Sequence, residues 1–226
     1  YFMQSTRSKS CFAAYSKLKS DVSDKVPPDI DKGGLVYFAH DFKRDLQEQT
    51  VINVDLKSAY ATALFNAKYI TQATSDYLGK IPKMDRLAAV GMLASKKHVF
   101  SYDEKGELLN YIKEVAPTEN FFYLAVRIVQ DTMQQLKAIC GRAYLFTWVD
   151  GIYFLPEPGL TEQVEQAAKD LGFRCTTETL SNFTVRIGSK VISVTFEKDD
   201  RRKQFKIPTN KAIFANDLIN YLTYKK

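Results

Sequence analysis

The sequence predicts an α+β fold, an antiparallel sheet that receives helices on one face. Three observations carry the prediction. Residues 51–55, Val51-Ile52-Asn53-Val54-Asp55, form a short β-branched run bounded by polar residues, as a strand does. Two more apolar runs, 144–149 and 152–155, meet across Asp150-Gly151, a strong β-hairpin signal. Residues 58–68, 83–95, 121–139 and 160–172 instead follow helical spacing. Helices interleaved with a local hairpin suit a sheet covered on one side.

Taken in order, residues 1–30 are polar and mixed, with helical spacing around 12–19, and end in the breaker Val26-Pro27-Pro28-Asp29. Gly33-Gly34 opens the extended run Leu35-Val36-Tyr37-Phe38. After the strand at 51–55, Ala59, Ala63 and Phe65 give the helix over 58–68 residues to pack. Pro82 stands where the first turn of a helix tolerates it, and the helix over 83–95 follows. Phe122, Ala125, Val126, Val129 and Met133 supply the apolar face of the helix over 121–139, which Cys140-Gly141 ends. The amphipathic helix at 160–172 closes on Gly172, and 185–207 read as further strands with a basic turn. There is no internal repeat and no low-complexity linker.

Composition bounds the function classes. The chain has 226 residues, 45% hydrophobic and 26% charged, enough for a sizeable core and unlike a disordered, collagenous or disulfide-built chain. No run approaches the roughly 18 consecutive apolar residues of a membrane span, and the opening Tyr1-Phe2-Met3-Gln4 turns polar at once, unlike a secretory leader. Beginning without methionine, the sequence reads as an excised part of a longer protein. Cys11, Cys140 and Cys175 lack CxxC spacing and have only His40 and His98 beside them, which points to a reducing compartment rather than a zinc site. The formal charge is +6, and Lys198, Arg201, Arg202, Lys203 and Lys206 crowd together, as do Lys80, Lys83, Arg86, Lys96 and Lys97. Such clusters suit a polyanionic partner as well as a solvated surface.

Asp55 closes one apolar strand and Asp150 stands at the tip of a hairpin. Two carboxylates converging on one sheet are what two-metal phosphoryl chemistry uses, because Mg²⁺ prefers carboxylates plus substrate phosphates. Taken singly, each has a plainer reading, Asp55 as a helix N-cap and Asp150 as half of a turn.

The flanks of both aspartates resemble one family. Val54-Asp55-Leu56-Lys57-Ser58-Ala59-Tyr60-Ala61 is similar to motif A of the family B DNA polymerases, D-x-x-S-L-Y-P, and Trp148-Val149-Asp150-Gly151-Ile152 to their motif C, D-T-D-S-I. Between them, Lys83-Met84-Asp85-Arg86-Leu87-Ala88-Ala89-Val90-Gly91 resembles motif B, K-x-x-x-N-S-x-Y-G. Lys32-Gly33-Gly34 stands at the interval of the Y-x-G-G element of protein-primed phage polymerases, and Ser189-Lys190-Val191-Ile192 at the place of K-x-Y. Departures are as specific. Trp148 replaces the first aspartate of motif C, Leu87 and Val90 replace the Asn and Tyr of motif B, Ala61 replaces the Pro of motif A, and Ile192 replaces the Tyr of K-x-Y. No proofreading exonuclease is recognised before motif A.

The resemblance implies a right-hand polymerase palm with a short fingers helix and a rudimentary thumb. It places an N-terminal segment at 1–50, palm at 51–78, reduced fingers at 79–115, palm again at 116–200, and a basic tail or thumb remnant at 201–226. It implies DNA-directed DNA polymerase activity with two Mg²⁺ ions, Mn²⁺ being an alternative, held by Asp55, Asp150 and the Leu56 carbonyl. Ser58 and the backbone N–H groups of 56–60 would cradle the triphosphate, Lys83 and Arg86 would reach it, and Tyr60 would exclude a 2′-hydroxyl. Gly33, Gly34, Lys190, Lys198, Arg201, Arg202 and Lys203 would contact DNA. The plainer readings stay open: Tyr60 as core, Lys83 and Arg86 as a solvated helix face, and 198–206 as an exposed turn. The implied partners are primer–template DNA, dNTPs, and a priming protein or other replication proteins, with no membrane, inside a host cell's cytoplasm or a nucleus rather than secreted. The alternatives are a catalytically degenerate palm that binds nucleic acid or assembles with others, and a reverse transcriptase.

Overall fold

In the computed structural model, which describes residues 8–32, 35–38, 45–189, 191–208 and 213–214, helix α1 (Lys9–Val22) leads to strands β1 (Val36–Phe38) and β2 (Leu46–Leu56). Helices α2 (Ala59–Asn66), α3 (Gln72–Lys80) and α4 (Lys83–Gly91) follow, then strands β3 (Lys96–Tyr102) and β4 (Leu108–Val115) and the long helix α5 (Glu119–Cys140). The order ends with β5 (Tyr144–Trp148), β6 (Gly151–Phe154), α6 (Leu160–Asp170), β7 (Cys175–Ile187), β8 (Val191–Lys198), β9 (Arg201–Pro208) and β10 (Ile213–Phe214). The class is α+β, with a six-stranded antiparallel sheet. Among the described residues no helix is long and apolar enough to cross a membrane.

The chain divides into two units, Tyr1–Ile30 with Tyr60–Ala125, and Asp31–Ala59 with Val126–Lys226. In the first, α1 buries Cys11, Ala14, Leu18 and Val22, a helical stripe, and packs on α3 and α4. Ser8 caps α1 by accepting the Cys11 N–H at 3.1 Å. Asp21 accepts the Thr71 N–H at 2.7 Å and its hydroxyl at 3.0 Å, so α1 anchors the cap of α3. Burial opposes ionisation of Asp21, but bonds from Thr71 and Thr74 and the Lys25 charge outweigh it and hold the carboxyl below its ordinary range. The 3₁₀ turn Met92–Ala94 finishes what the sequence predicts as one helix over 83–95.

β3 and β4 form a hairpin that the sequence does not predict. Its turn is built by Asp103, whose carboxylate accepts the N–H groups of Lys105 at 2.9 Å and Glu107 at 2.8 Å, with Gly106 at φ +82°. Phe100, Tyr102, Leu108, Leu109, Tyr111, Ile112 and Val115 are all exposed on it.

In the second unit the large sheet runs β5-β6-β2-β7-β8-β9, and β1 pairs with β10 separately. The run at 51–55 is the inner half of β2, whose residues Leu46–Thr50 are mostly exposed. Val54 lies opposite Ile152 on β6 and Thr177 on β7, and the Thr177 hydroxyl donates to Glu165 of α6. Helix α6 therefore covers the face that carries Val54. It buries Leu160, Val164 and Ala168 and ends in bonds from Gly172 N to Lys169 O and from Phe173 N to Ala168 O, both 2.9 Å, with Gly172 at φ +81° as the sequence predicts.

Strand alternation puts Asn53, Asp55, Gly151, Tyr153, Thr176 and Glu178 on the other face. Part of that face is filled by aromatic packing: Phe146 stacks on Tyr153 at 4.2 Å, Phe183 on Phe196 at 5.8 Å, and Trp148 meets Phe205 at 6.0 Å. Trp148 is on β5 and Phe205 on β9, the two outer strands, so the sheet curls until its edges touch. Bulges in β2 around Gln49 and in β7 between Ser181 and Thr184 accompany the bend, with Glu48 at φ 50° and Asn182 at φ 51°.

One boundary differs from the sequence reading: β7 begins at Cys175 rather than at 185, while 201–208, inside the stretch read as further strands, are the outer strand β9 of the sheet. The turn between β8 and β9 is acidic rather than basic: Asp199 and Asp200, at φ 53° and 57°, supply its two left-handed residues, a conformation aspartate tolerates.

Candidate functional site

β2 delivers Asp55 to the centre of the sheet, where it pairs with Gly151 on one side and Thr176 on the other. Gly151 follows Asp150, and the Leu56 N–H donates to the Asp150 carbonyl at 2.9 Å. Two aspartates far apart in sequence thus sit at adjoining positions on neighbouring strands. The hairpin loop is Val149-Asp150, since Trp148 already pairs with Gly151. Gly151 is the first residue of β6 rather than part of the turn. Its glycine identity answers a close approach: a Cβ there would stand 3.2 Å from Asn53 Oδ1, 3.3 Å from Asp55 Oδ1 and 3.5 Å from the Trp148 carbonyl. The bend is left to Val149, at φ 55°, a conformation costly for a β-branched residue.

Near Gly151 stand groups the sequence reading did not single out. Asn53 is 7% exposed, and its Oδ1 has no hydrogen-bond partner. Tyr153 and Glu178 flank Asn53 in the same ladder row. Burial raises the Tyr153 phenol well above its ordinary value, and the charges of Asp55, Glu178 and Asp150 raise it further. Glu178 is paired with Lys198, whose ammonium is stabilised in turn. Period-2 alternation counted back from Asp55 points to Asn53 from sequence alone; Glu178 is visible only once β7 is in register.

The sequence-predicted residues fall into four groups. Asp55, Leu56, Ser58 and Asp150 lie in the second unit, Leu56 with its side chain buried and Ser58 at φ 55° in the turn before α2. The cradle expected from the N–H groups of 56–60 is smaller, because Leu56 N is bonded to Asp150 O and Lys57 N to Arg174 O at 2.8 Å. Tyr60, Lys83 and Arg86 belong to the first unit. Tyr60 is 7% exposed with its ring 6.4 Å from that of Phe122, Lys83 is exposed at the start of α4, and Arg86 donates to the Leu78 carbonyl at 3.1 Å, closing the end of α3. On β9, Arg201 and Lys203 alternate with Phe205 and so share the face of Trp148 and Asp55, whereas Arg202 lies on the opposite face across from Glu197. Gly33, Gly34 and Lys190 lie outside the described residues.

Chemically, the arrangement offers the Asp55 carboxylate, the Trp148 carbonyl and a buried amide oxygen beside Gly151, with Asp150 in the adjoining turn. Among the described residues, no three His, Cys, Asp or Glu side chains gather closely enough to hold a metal ion. A cation here would rest on the aspartates with neutral oxygens, a donor set that suits a hard divalent ion keeping room for water or phosphate. No protein-family model matches this chain, and no curated protein matches it.

Proposed function

We propose that the chain is a nucleotidyltransferase of the family B polymerase type, adding nucleotides from dNTPs to a primer hydroxyl as a template directs. The supporting observation is the pairing of Asp55 with the residue after Asp150, under a backbone bond from Leu56 to Asp150. Their oxygens, with the Leu56 carbonyl that the resemblance adds, are hard donors of the kind Mg²⁺ or Mn²⁺ takes. Two such ions, when bound, supply activation of the primer hydroxyl and neutralisation of the triphosphate and departing pyrophosphate.

The chain's own residues do the rest. Asp55 is held by the ladder, and Asp150, in the turn beside it, is tied to the ladder through its carbonyl, which accepts the Leu56 N–H. The N–H groups of Ser58 and Ala59, at the entry to α2, would donate to a triphosphate. The resemblance assigns phosphate contacts to Lys83 and Arg86 and sugar exclusion to Tyr60, which are residues of the first unit. Arg201 and Lys203 hold duplex phosphates on the Asp55 face, a contact independent of sequence. On this reading the partners are primer–template DNA, dNTPs and other replication proteins, and the setting is intracellular.

One observation favours a second reading. Trp148, which stands where the family carries its first motif C aspartate, is packed on Phe205. A palm that gave up turnover and kept nucleic-acid binding would tolerate that exchange. Primer extension with Mg²⁺ and with Mn²⁺, run beside DNA binding on the same preparation, separates the two. Extension supports the polymerase; tight binding with no extension under either metal supports the binding module.

A further inference from the structure

We infer that Asn53 is a cation ligand of this site, its side-chain Oδ1 standing beside Asp55 as a neutral oxygen donor. The inference rests on the reading of Asp55 and Asp150 as cation ligands and adds an oxygen which that reading does not name.

Asn53 Oδ1 is the one buried side-chain polar atom among the described residues that lacks a hydrogen-bond partner. Buried acceptors are nearly always satisfied, and an orphan marks a place where something else binds. The atom is 3.2 Å, and Asp55 Oδ1 3.3 Å, from the same point, the position a Cβ on residue 151 would take. Both oxygens therefore crowd one point beside Gly151, and only a glycine leaves them that approach. Asn53 and Asp55 are two residues apart on β2, so the strand's own period aligns them. A core strand otherwise made of Val51, Ile52, Val54 and Leu56 gains nothing in packing from an amide at 53.

The surroundings suit a cation. Asp55, Asp150 and Glu178 all act on Tyr153, the neighbour of Asn53 on β6. Glu178 is paired with Lys198, which leaves the neutral amide rather than a third carboxylate to add an oxygen. Motif C has Trp148 in place of one carboxylate, and Asn53 supplies an oxygen from another strand without adding a negative charge against an incoming triphosphate. Amide carbonyls are ordinary hard-oxygen ligands.

The test is Mn²⁺ binding by the full chain without nucleotide or DNA, followed by the electron paramagnetic resonance of free Mn²⁺ and by thermal unfolding with and without the metal. Wild type should bind Mn²⁺, and Asp55→Asn should lose it. Asn53→Leu should bind at least about tenfold more weakly, as loss of a supporting group at a metal site does, and lose most of the Mn²⁺-induced rise in Tm. Asn53→Asp should bind more tightly than wild type. Asn53→Leu binding as tightly as wild type, while Asp55→Asn does not bind, overturns the role of Asn53 and leaves that of Asp55 standing. Wild type that binds no Mn²⁺ at millimolar concentration overturns both. If Asn53→Leu does not fold, Asn53→Asp decides: an affinity no greater than that of wild type overturns the inference.

Discussion

The N–H of Leu56 donates to the carbonyl of Asp150 at 2.9 Å, so the residue that follows one candidate ligand holds the main chain of the other. Since Asp55 also pairs with Gly151, the end of β2 and the β5–β6 turn form one backbone unit. The main chain of the turn that carries Asp150 is therefore fixed against the strand that carries Asp55.

Gly151→Ala should impair the site without unfolding the protein. The added methyl must push against Asn53 Oδ1 and Asp55 Oδ1 at 3.2 and 3.3 Å, and sub-ångström misplacement of a reacting group is expensive in rate. Single-turnover primer extension should fall by at least about tenfold while Tm stays near that of wild type. If Gly151 mattered only as a turn residue, Tm would drop and the folded fraction would keep its rate.

Val149 carries the strain of the tight turn at φ 55°. Val149→Asn, which tolerates that region, should raise stability by about 1 kcal/mol and Tm by roughly 2–4 °C for a chain of this size. Thermal unfolding checks this; a lower Tm would mean that the valine side chain contributes packing that outweighs the strain.

The basic cluster should divide by strand face. Arg201→Ala with Lys203→Ala removes two cations from the face of Asp55, and should weaken duplex DNA binding and flatten its salt dependence by about two in slope. Arg202→Ala, on the other face, should leave both nearly unchanged. Equal effects from the three positions in a salt titration would contradict the assignment of faces.

Tyr153 should make stability depend on alkaline pH. Burial first, then Asp55, Glu178 and Asp150, raise its phenol above the ordinary value of 10.0. Below that value the folded and unfolded chains both hold the proton and the group contributes no pH dependence. Above it the unfolded chain ionises first, so the folded state binds more protons and stability falls as pH rises. Denaturant unfolding at pH 9 and pH 11 should show Tyr153→Phe losing less stability over that interval than wild type. Equal losses would show that the phenol does not contribute.

What was legible in the sequence divides along physical lines. The β-branched run at 51–55, the hairpin and the helices at 9–22, 119–140 and 160–170 could be read because each presents one apolar face with its own period. The β3–β4 hairpin could not, because it exposes apolar residues such as Phe100, Leu109 and Ile112 and has no inner face to alternate. The first half of β7, Cys175-Thr176-Thr177-Glu178, hides for a different reason: one row faces the polar site and the other bonds α6, so neither is apolar. Asp150-Gly151 gave the right hairpin with the wrong register, because the glycine answers the approach of Asp55 rather than the turn. Arg86 on Leu78 and Lys198 on Glu178 are tertiary contacts that no local spacing announces.

Primer extension by Asp55→Asn and Asp150→Asn, each compared with wild type and each assayed for DNA binding, tests the central claim most directly. The exchange removes one negative charge at nearly constant shape, so the fold and the Arg201–Lys203 face stay intact. The account predicts Mg²⁺- or Mn²⁺-dependent extension by wild type, none by either variant, and DNA affinity within about twofold of wild type for both. Extension by both variants at the wild-type rate would contradict it.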